Sequence, residues 1–266
     1  MELLAALHKI EERGALETAD RALMLARQVW DYWLPTTDVQ QRNITEGLKA
    51  RLTPYRGKGF AAIVEPLRFG ELLRAIQNYK GGPIVRTALQ LAPMLYQRPG
   101  NLRMMEWKEL DLDAALWTIP SMKMKRTKME KEQGEAHIVP LPVQAVALLR
   151  AIQPLTGHAV NVFPGERSHD RPISDNSVRS ALYALGFGKV QTWHGFRASA
   201  RTMLVDELNL DPLAIEANLA HAVKDSNGRS YNRTQYLKQR FDQIQQWADY
   251  LDKLARGADV IAFKAA

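Results

Sequence analysis

The chain has 266 residues, 46% of them hydrophobic and 24% charged, and its 36 lysines and arginines outnumber 29 acidic residues to give a formal net charge of +7. It contains no cysteine, which excludes disulfides, thiolate metal sites and cysteine nucleophiles and suits a reducing compartment. This balance favours a folded protein with ample core and a polyanionic partner, and no apolar run approaches the roughly 20 residues of a membrane helix.

The opening "MELLAALHKIEERG" has acidic residues and helical periodicity in place of a signal peptide's basic start, so a cytoplasmic protein is expected. Its first residues already lie in a helical pattern, as in a fragment cut from a longer chain. In "ETADRALMLARQVWDYWL", Leu23, Ala26, Trp30 and Trp33 recur at spacings of three and four, an amphipathic stripe. "LTPYRGKGFAAIVEP" (52–66) holds two prolines and two glycines without a sustained period and reads as a connector.

Helical text resumes in "PLRFGELLRAIQNYK" and "GPIVRTALQLAPMLYQ", the latter ended by Pro99 and Gly100. Leu110 and Leu112, then Trp117 and Ile119, alternate around "DLDAA", which predicts a hairpin, and "HIVPLP" (137–142) predicts a third strand. The charged segment "KMKRTKMEKEQGEA" between them reads as an exposed turn. Five further helices are expected: "PVQAVALLRAIQPL"; "SDNSVRSALYALG", capped by Ser174 or Asp175 and stopped by Gly186; "GFRASARTMLVDEL"; "PLAIEANLAHAV"; and "YLKQRFDQIQQWADYLDKLA". In the last, Leu237, Phe241, Ile244, Trp247 and Leu251 form a stripe suited to core packing. The fold class is therefore mainly α with a small antiparallel β-sheet. It is organised as a helical module (1–51), a linker (52–66), a larger domain (67–254) and a tail (255–266).

"TWHGFRASARTM" places His194 and Arg197 about one helical turn apart. Such a pair belongs either to a solvated face or to a site where both donors point at one anion, for which phosphate is best suited. Arg98 follows an apolar helix, Lys125 stands at the far end of the second predicted strand, His221 closes another apolar helix, and Tyr231 follows ten residues later in "GRSYNR". Singly, each has an ordinary structural use: a helix dipole, a carbonyl partner, amphipathic packing, a solvated charge.

Together, the order Arg98, Lys125, His194, Arg197, His221, Tyr231 resembles the tyrosine recombinase family, closest to the integrases of prophages and genomic islands. The blocks "RPGNLRMMEWKELDLDAALWTIP", "HIVPLP", "HGFRASARTML", "IEANLAHAV" and "YNRTQYLKQRFDQIQQWADYLD" carry the resemblance over roughly residues 60 to 252. Residues 1–51 resemble the latter part of that family's helical core-binding domain. The front of that domain and the usual arm-binding domain have no counterpart in the sequence.

The resemblance implies a tyrosine recombinase catalytic fold and site-specific recombination through a 3′-phosphotyrosine, with neither metal nor cofactor. Tyr231 would attack the phosphate, Arg98 and Arg197 hold its non-bridging oxygens, His221 add a hydrogen bond, His194 accept the tyrosine proton and Lys125 protonate the leaving oxygen. Lys123 and Tyr236 are the alternatives for acid and nucleophile. The implied partners are double-stranded core-type attachment sites, further copies of the chain up to a synaptic tetramer, and accessory DNA-bending proteins, with no membrane. Two departures stand out: Asn101 where the family normally has Glu, and a longer segment between Lys125 and His137. A topoisomerase-like strand passer and an inactive integrase-like DNA-binding protein are the competing functions. A metal-dependent nuclease is disfavoured, since no carboxylate cluster stands near the histidines at ligand spacing.

Overall fold

The computed structural model describes residues 2–37, 42–55, 57, 59–166, 168–221 and 236–257. Its contacts divide the chain into two compact units, with the division between Gly59 and Phe60.

In the first unit, helix α1 (Glu2–Glu12) is followed by α2 (Leu16–Trp33), and Gly14 between them has φ +73°. That left-handed conformation is open to glycine at no steric cost, so the turn is encoded locally. The helices close on buried Leu7, Leu23 and Leu52. The expected stripe of α2 is only partly covered: Leu23 is buried, Ala26 and Trp30 are half-buried, and Trp33 is 38% exposed.

The stretch read as a connector is shared between the units. Thr53 N donates to Glu11 Oε1 at 2.7 Å and Tyr55 Oη to Glu17 Oε2 at 2.9 Å, both within the first unit. Ile63 N donates to Gln191 Oε1 at 2.8 Å within the second.

The second unit begins with α3 (Pro66–Gln77), where Glu65 caps the helix by accepting from Leu67 N at 2.9 Å and Arg68 N at 2.6 Å. These donors would otherwise be orphaned in the first turn. Then come α4 (Pro83–Leu95) and the short α5 (Pro99–Arg103). Strands β1 (Leu110–Asp111), β2 (Leu116–Ile119) and β3 (His137–Pro140) pair antiparallel in that order, with Trp117 opposite Leu110 on one side and Val139 on the other. Period-two alternation holds in β2, where Trp117 and Ile119 are buried and Thr118 is exposed.

The charged segment between β2 and β3 departs from the expected turn. It contains a 3-10 turn (Ser121–Lys123) and a helix, α6 (Lys128–Gln133). Thr127 Oγ1 accepts from Glu130 N at 3.3 Å while the Glu130 carboxylate accepts from Thr127 N at 2.9 Å, a capping box that nucleates helix within a charge run.

Helices α7 (Val143–Thr156), α8 (Ser177–Ala184), α9 (Gly195–Asp206), α10 (Pro212–Asn218) and α11 (Leu237–Arg256) complete the unit. Asn176, not Ser174 or Asp175, occupies the N-cap of α8. The Ser174 hydroxyl instead accepts from Asn176 N at 3.2 Å and turns the chain one step before the helix. Gly186, at φ +83°, ends α8 as expected.

Helix α11 packs on α3 and α4. Gly70 lets it approach, since a Cβ there would lie 2.6 Å from Leu254 O. Ile244, Trp247 and Leu251 are buried and Leu237 and Phe241 half-buried, so the C-terminal part of the apolar stripe is core, and Arg240 and Gln243 are buried on the same helix. Trp247 sits between the rings of Phe69 and Tyr96, and its indole N–H donates to Pro93 O at 2.9 Å. Trp247→Ala is expected to cost about 3–5 kcal/mol through the cavity it leaves. The denaturation midpoint of the variant against the parent chain reads this directly.

Candidate active site

A cleft of about 800 Å³ in the second unit is lined by Phe60, Arg98, Asn101, Lys123, Met124, Lys125, Lys131, His194, Arg197 and His221, among others. Five members of the sequence-predicted set thus reach one place from four separated stretches. Tyr231 lies outside the described residues. Tyr236 is half-buried at the start of α11 and does not line the cleft.

Arg98 is positioned by two helix ends. Tyr96, at φ +40°, terminates α4, and Gln97 is then buried with its amide donating to Leu95 O at 3.2 Å and Asn218 O at 2.8 Å. Arg98 follows as the N-cap residue of α5. Pro99 therefore opens a helix instead of ending one, because its missing N–H costs nothing in a first turn. Among the described residues no acceptor bonds the Arg98 guanidinium. Partial burial, with Arg126 adding repulsion, holds its pKa below the usual arginine value.

Arg197 is the most buried cation lining the cleft, with 6% exposure. Its Nη1 donates to Tyr96 O at 3.1 Å, and its Nη2 donates to Leu219 O at 2.8 Å and to His221 Nε2 at 3.1 Å. The two carbonyls stand at the C-terminal ends of α4 and α10, where main-chain acceptors lack intrahelical partners. Burial, then repulsion from Arg98, pushes the Arg197 pKa down to about 10, so the group stays cationic at neutral pH.

His194 stands at the N-cap of α9, immediately before the helix expected from Gly195 onward. Its ring packs on Phe60, centroids 4.3 Å apart. The approach of the 60–63 segment depends on Gly195, where a Cβ would collide with Ala61 O. Thr192 Oγ1 locks the junction by donating to Ala61 O at 3.2 Å and accepting from Gly195 N at 2.9 Å. Burial, followed by the positive charges of Arg197, Arg98 and Lys125, holds the His194 pKa below the usual histidine range. The imidazole is therefore neutral at pH 7 and able to accept a proton.

The two candidate lysines are separated by their bonds. Lys123 Nζ donates to Met104 O at 2.8 Å, to Glu106 Oε1 at 2.7 Å and to Glu109. Glu109 is buried and also accepts from Trp117 Nε1 at 3.1 Å. Lys125 is exposed in the cleft and makes no ion pair among the described residues. Because β2 ends at Ile119, Lys125 stands beyond the 3-10 turn and not on a strand.

The segment that carries Lys125 is held at several points. Asn101 Nδ2 donates to Met124 Sδ at 3.4 Å, and Arg126 Nη1 donates to Ser121 Oγ at 2.7 Å and Glu135 O at 2.8 Å. Asn101 thus braces the neighbour of Lys125 and leaves the Arg98 guanidinium alone.

Sequence reasoning passed over several contributors. Phe60 was hidden in the connector and Lys131 in the charge run. Glu216 was the only charged residue of "PLAIEANLAH", a signal that could have been used. Beneath the cleft, Asn218 accepts from Arg240 Nη2 at 3.0 Å and bonds the Tyr96 hydroxyl, and its carbonyl faces His137 Nε2 at 3.2 Å.

The phage integrase family profile matches residues 67–238. The chain is 30% identical to the integrase of Enterobacteria phage P4 over 258 residues, 94% of this chain and 58% of the relative. It is 30% identical to prophage integrase IntA of Escherichia coli (strain K12) over 259 residues, 97% of this chain and 60% of the relative. It spans less than two thirds of the length of these curated relatives. Among solved structures, its fold is similar to lambda integrase (residues 75–356) in a dimer bound to a COC′ core site. The TM-score is 0.60 at 16% identity, over 87% of this chain and 81% of that one. It is also similar to the Tn1549 transposon integrase in complex with transposon right-end DNA, with a TM-score of 0.57 at 13% identity, over 94% and 84%.

The buried His137 ring gives the scaffold a pH dependence. Its Nδ1 has no partner among the described residues, and burial together with Arg240 lowers its pKa from 6.5 to about 3. Between those values the unfolded chain holds a proton that the folded chain lacks, so this group's effect is to lower stability as pH falls below 6.5. A loss on the order of 1–2 kcal/mol from this residue is expected between pH 7.5 and 5, and His137→Gln should flatten that part of the profile. Denaturant melts of both chains at the two pH values measure it.

Proposed function

Because the chain belongs to the phage integrase family, we propose that it performs site-specific DNA recombination, integrating or excising a mobile element through a covalent 3′-phosphotyrosine. The convergence of Arg98, Lys125, His194, Arg197 and His221 on one cleft carries this proposal.

In the proposed cleavage, the Tyr231 phenol oxygen attacks the scissile phosphorus as the bond to the 5′ oxygen breaks. Neutral His194 takes the phenol proton. Lys125 gives a proton to the leaving 5′ oxygen, a role supported by the carboxylates and carbonyl that occupy Lys123. Arg98 and Arg197 hold the non-bridging oxygens, and His221 adds a further hydrogen bond. Charge on these oxygens grows toward the transition state, where fixed cations in a partly desolvated cleft act most strongly. A 5′ hydroxyl from the partner strand then attacks the phosphotyrosine and the proton transfers reverse, so no external energy source is needed.

In this proposal residues 67–254 form the catalytic domain and residues 1–51 part of the core-binding module. The substrate is a double-stranded core-type site, read by two copies per site and four in the synapse, with accessory DNA-bending proteins aiding assembly. The setting is the bacterial cytoplasm. No helix among the described residues is long and apolar enough to cross a membrane.

Incubation with a nicked duplex carrying a core site, followed by denaturing electrophoresis, tests the proposal. A covalent protein–DNA band is expected in the presence of EDTA, absent in Tyr231→Phe and formed roughly 10²–10³ times more slowly in Arg197→Ala. Tight binding with no covalent product at any protein concentration would leave only a DNA-binding role. An adduct that persists in Tyr231→Phe would move the nucleophile elsewhere.

A further inference from the structure

The proposed chemistry asks one hydrogen bond of His221, whose Nε2 faces Arg197 in the cleft, and gives its other ring nitrogen no task. That nitrogen, Nδ1, lies against the carboxylate of Glu216, whose second oxygen takes Arg201 Nε. The two residues are also joined through the backbone, since His221 N donates to Glu216 O at 3.0 Å where Ala220, at φ +53°, ends the turn after α10. Side chain and main chain thus fix the imidazole to one helical turn.

A carboxylate at Nδ1 accepts a proton and offers none, so Nδ1 carries the hydrogen. In the free protein this leaves Nε2 as the acceptor for Arg197 Nη2, at 3.1 Å. A bare Nε2 cannot donate to a phosphate oxygen; for that the ring must hold a second proton. The other charged or titratable groups lining the cleft are Arg197 of α9, His194 at its N-cap, Arg98, Lys123, Lys125 and Lys131, and Arg201 of α9 pairs with Glu216. All are cationic or neutral and oppose a second proton. Glu216 is the one described carboxylate that bonds the ring.

We propose that Glu216 is a positioning residue for His221, fixing the Nδ1–H tautomer and supplying the negative charge that lets the ring take a solvent proton when a phosphate enters. The inference rests on the recombinase reading of the cleft. Burial pushes the Glu216 carboxyl up, but its hydrogen bonds from Arg201 and His221 outweigh this and hold it below the usual carboxylate range. It therefore remains an anion across the working pH range. Nε2 then turns from acceptor to donor at the moment the anion arrives, with one proton gained from water.

Two variants separate orientation from charge. Glu216→Gln keeps an acceptor for Nδ1–H and loses the charge; Glu216→Ala loses both. Imidazole ¹⁵N spectra of the full chain, with His221 assigned by its loss in His221→Gln, should show the Nδ1–H form in the parent and in Glu216→Gln. In Glu216→Ala, where Arg197 Nη2 keeps Leu219 O as its acceptor, the Nε2–H form should appear. Cleavage of the nicked duplex by Glu216→Gln should fall on the alkaline side, about three- to fivefold more at pH 8 than at pH 6.5, because a one-unit loss of proton affinity cuts the protonated fraction up to tenfold above the pKa and little below it. Thermal melts confirm that the variants fold. Unchanged tautomer in Glu216→Ala, or an equal loss of cleavage at both pH values in Glu216→Gln, overturns the assignment. A parent chain that forms no adduct contradicts the recombinase reading, while the tautomer spectra still uphold or overturn the pairing.

Discussion

A buried guanidinium that faces other cations and bonds no carboxylate is the constraint around which the second unit is arranged. Arg197 is almost fully covered, yet its partners are two main-chain carbonyls and an imidazole. Removing such a charge from water costs several kcal/mol when no counterion accompanies it. Arg98 sharpens the cost by facing the same cleft. An anion entering the cleft relieves all of these terms together, and a phosphodiester presents two oxygens to two planar donors.

The backbone bears part of the same cost. Tyr96 and Ala220 both lie in the left-handed region, at φ +40° and +53°, where non-glycine residues are disfavoured. These are the turns that aim the carbonyls of Tyr96 and Leu219 at Arg197. Asn218 ties the arrangement to the scaffold by bonding the Tyr96 hydroxyl and Arg240, while its carbonyl meets Gln97 and His137. Helices α4, α10 and α11 and strand β3 are thereby joined at one buried residue. Burial raises the Tyr96 pKa to about 12, so this phenol remains a structural hydrogen-bonding group.

Much of this architecture is legible in the amino acids. Apolar spacing marks the long helices, the "DLDAA" turn marks the hairpin, and Gly186 stops α8 because a positive φ suits glycine. What misled was local text with two meanings. Pro99 ends one pattern and begins another, and only Tyr96's turn out of α4 decides which. The run around Thr127 looks like a solvated loop by charge, while its Thr-x-x-Glu spacing spells a capping box. His194 stands at the N-cap of α9, as the helix expected from Gly195 implies, but the close approach of Ala61 to Gly195 is hidden in the connector text. The main-chain partners of Arg197 could not be read at all: they are backbone carbonyls more than 20 residues away, which side-chain patterns do not encode.

In the proposed reaction Arg197 meets negative charge on a single phosphate. The most direct test replaces the scissile phosphate of a nicked core duplex with a neutral methylphosphonate and compares cleavage by the parent chain and Arg197→Ala. With no charge left to neutralise, the variant's deficit should shrink strongly on the neutral substrate. A deficit of equal size on both substrates would contradict the claim and return Arg197 to a purely structural role.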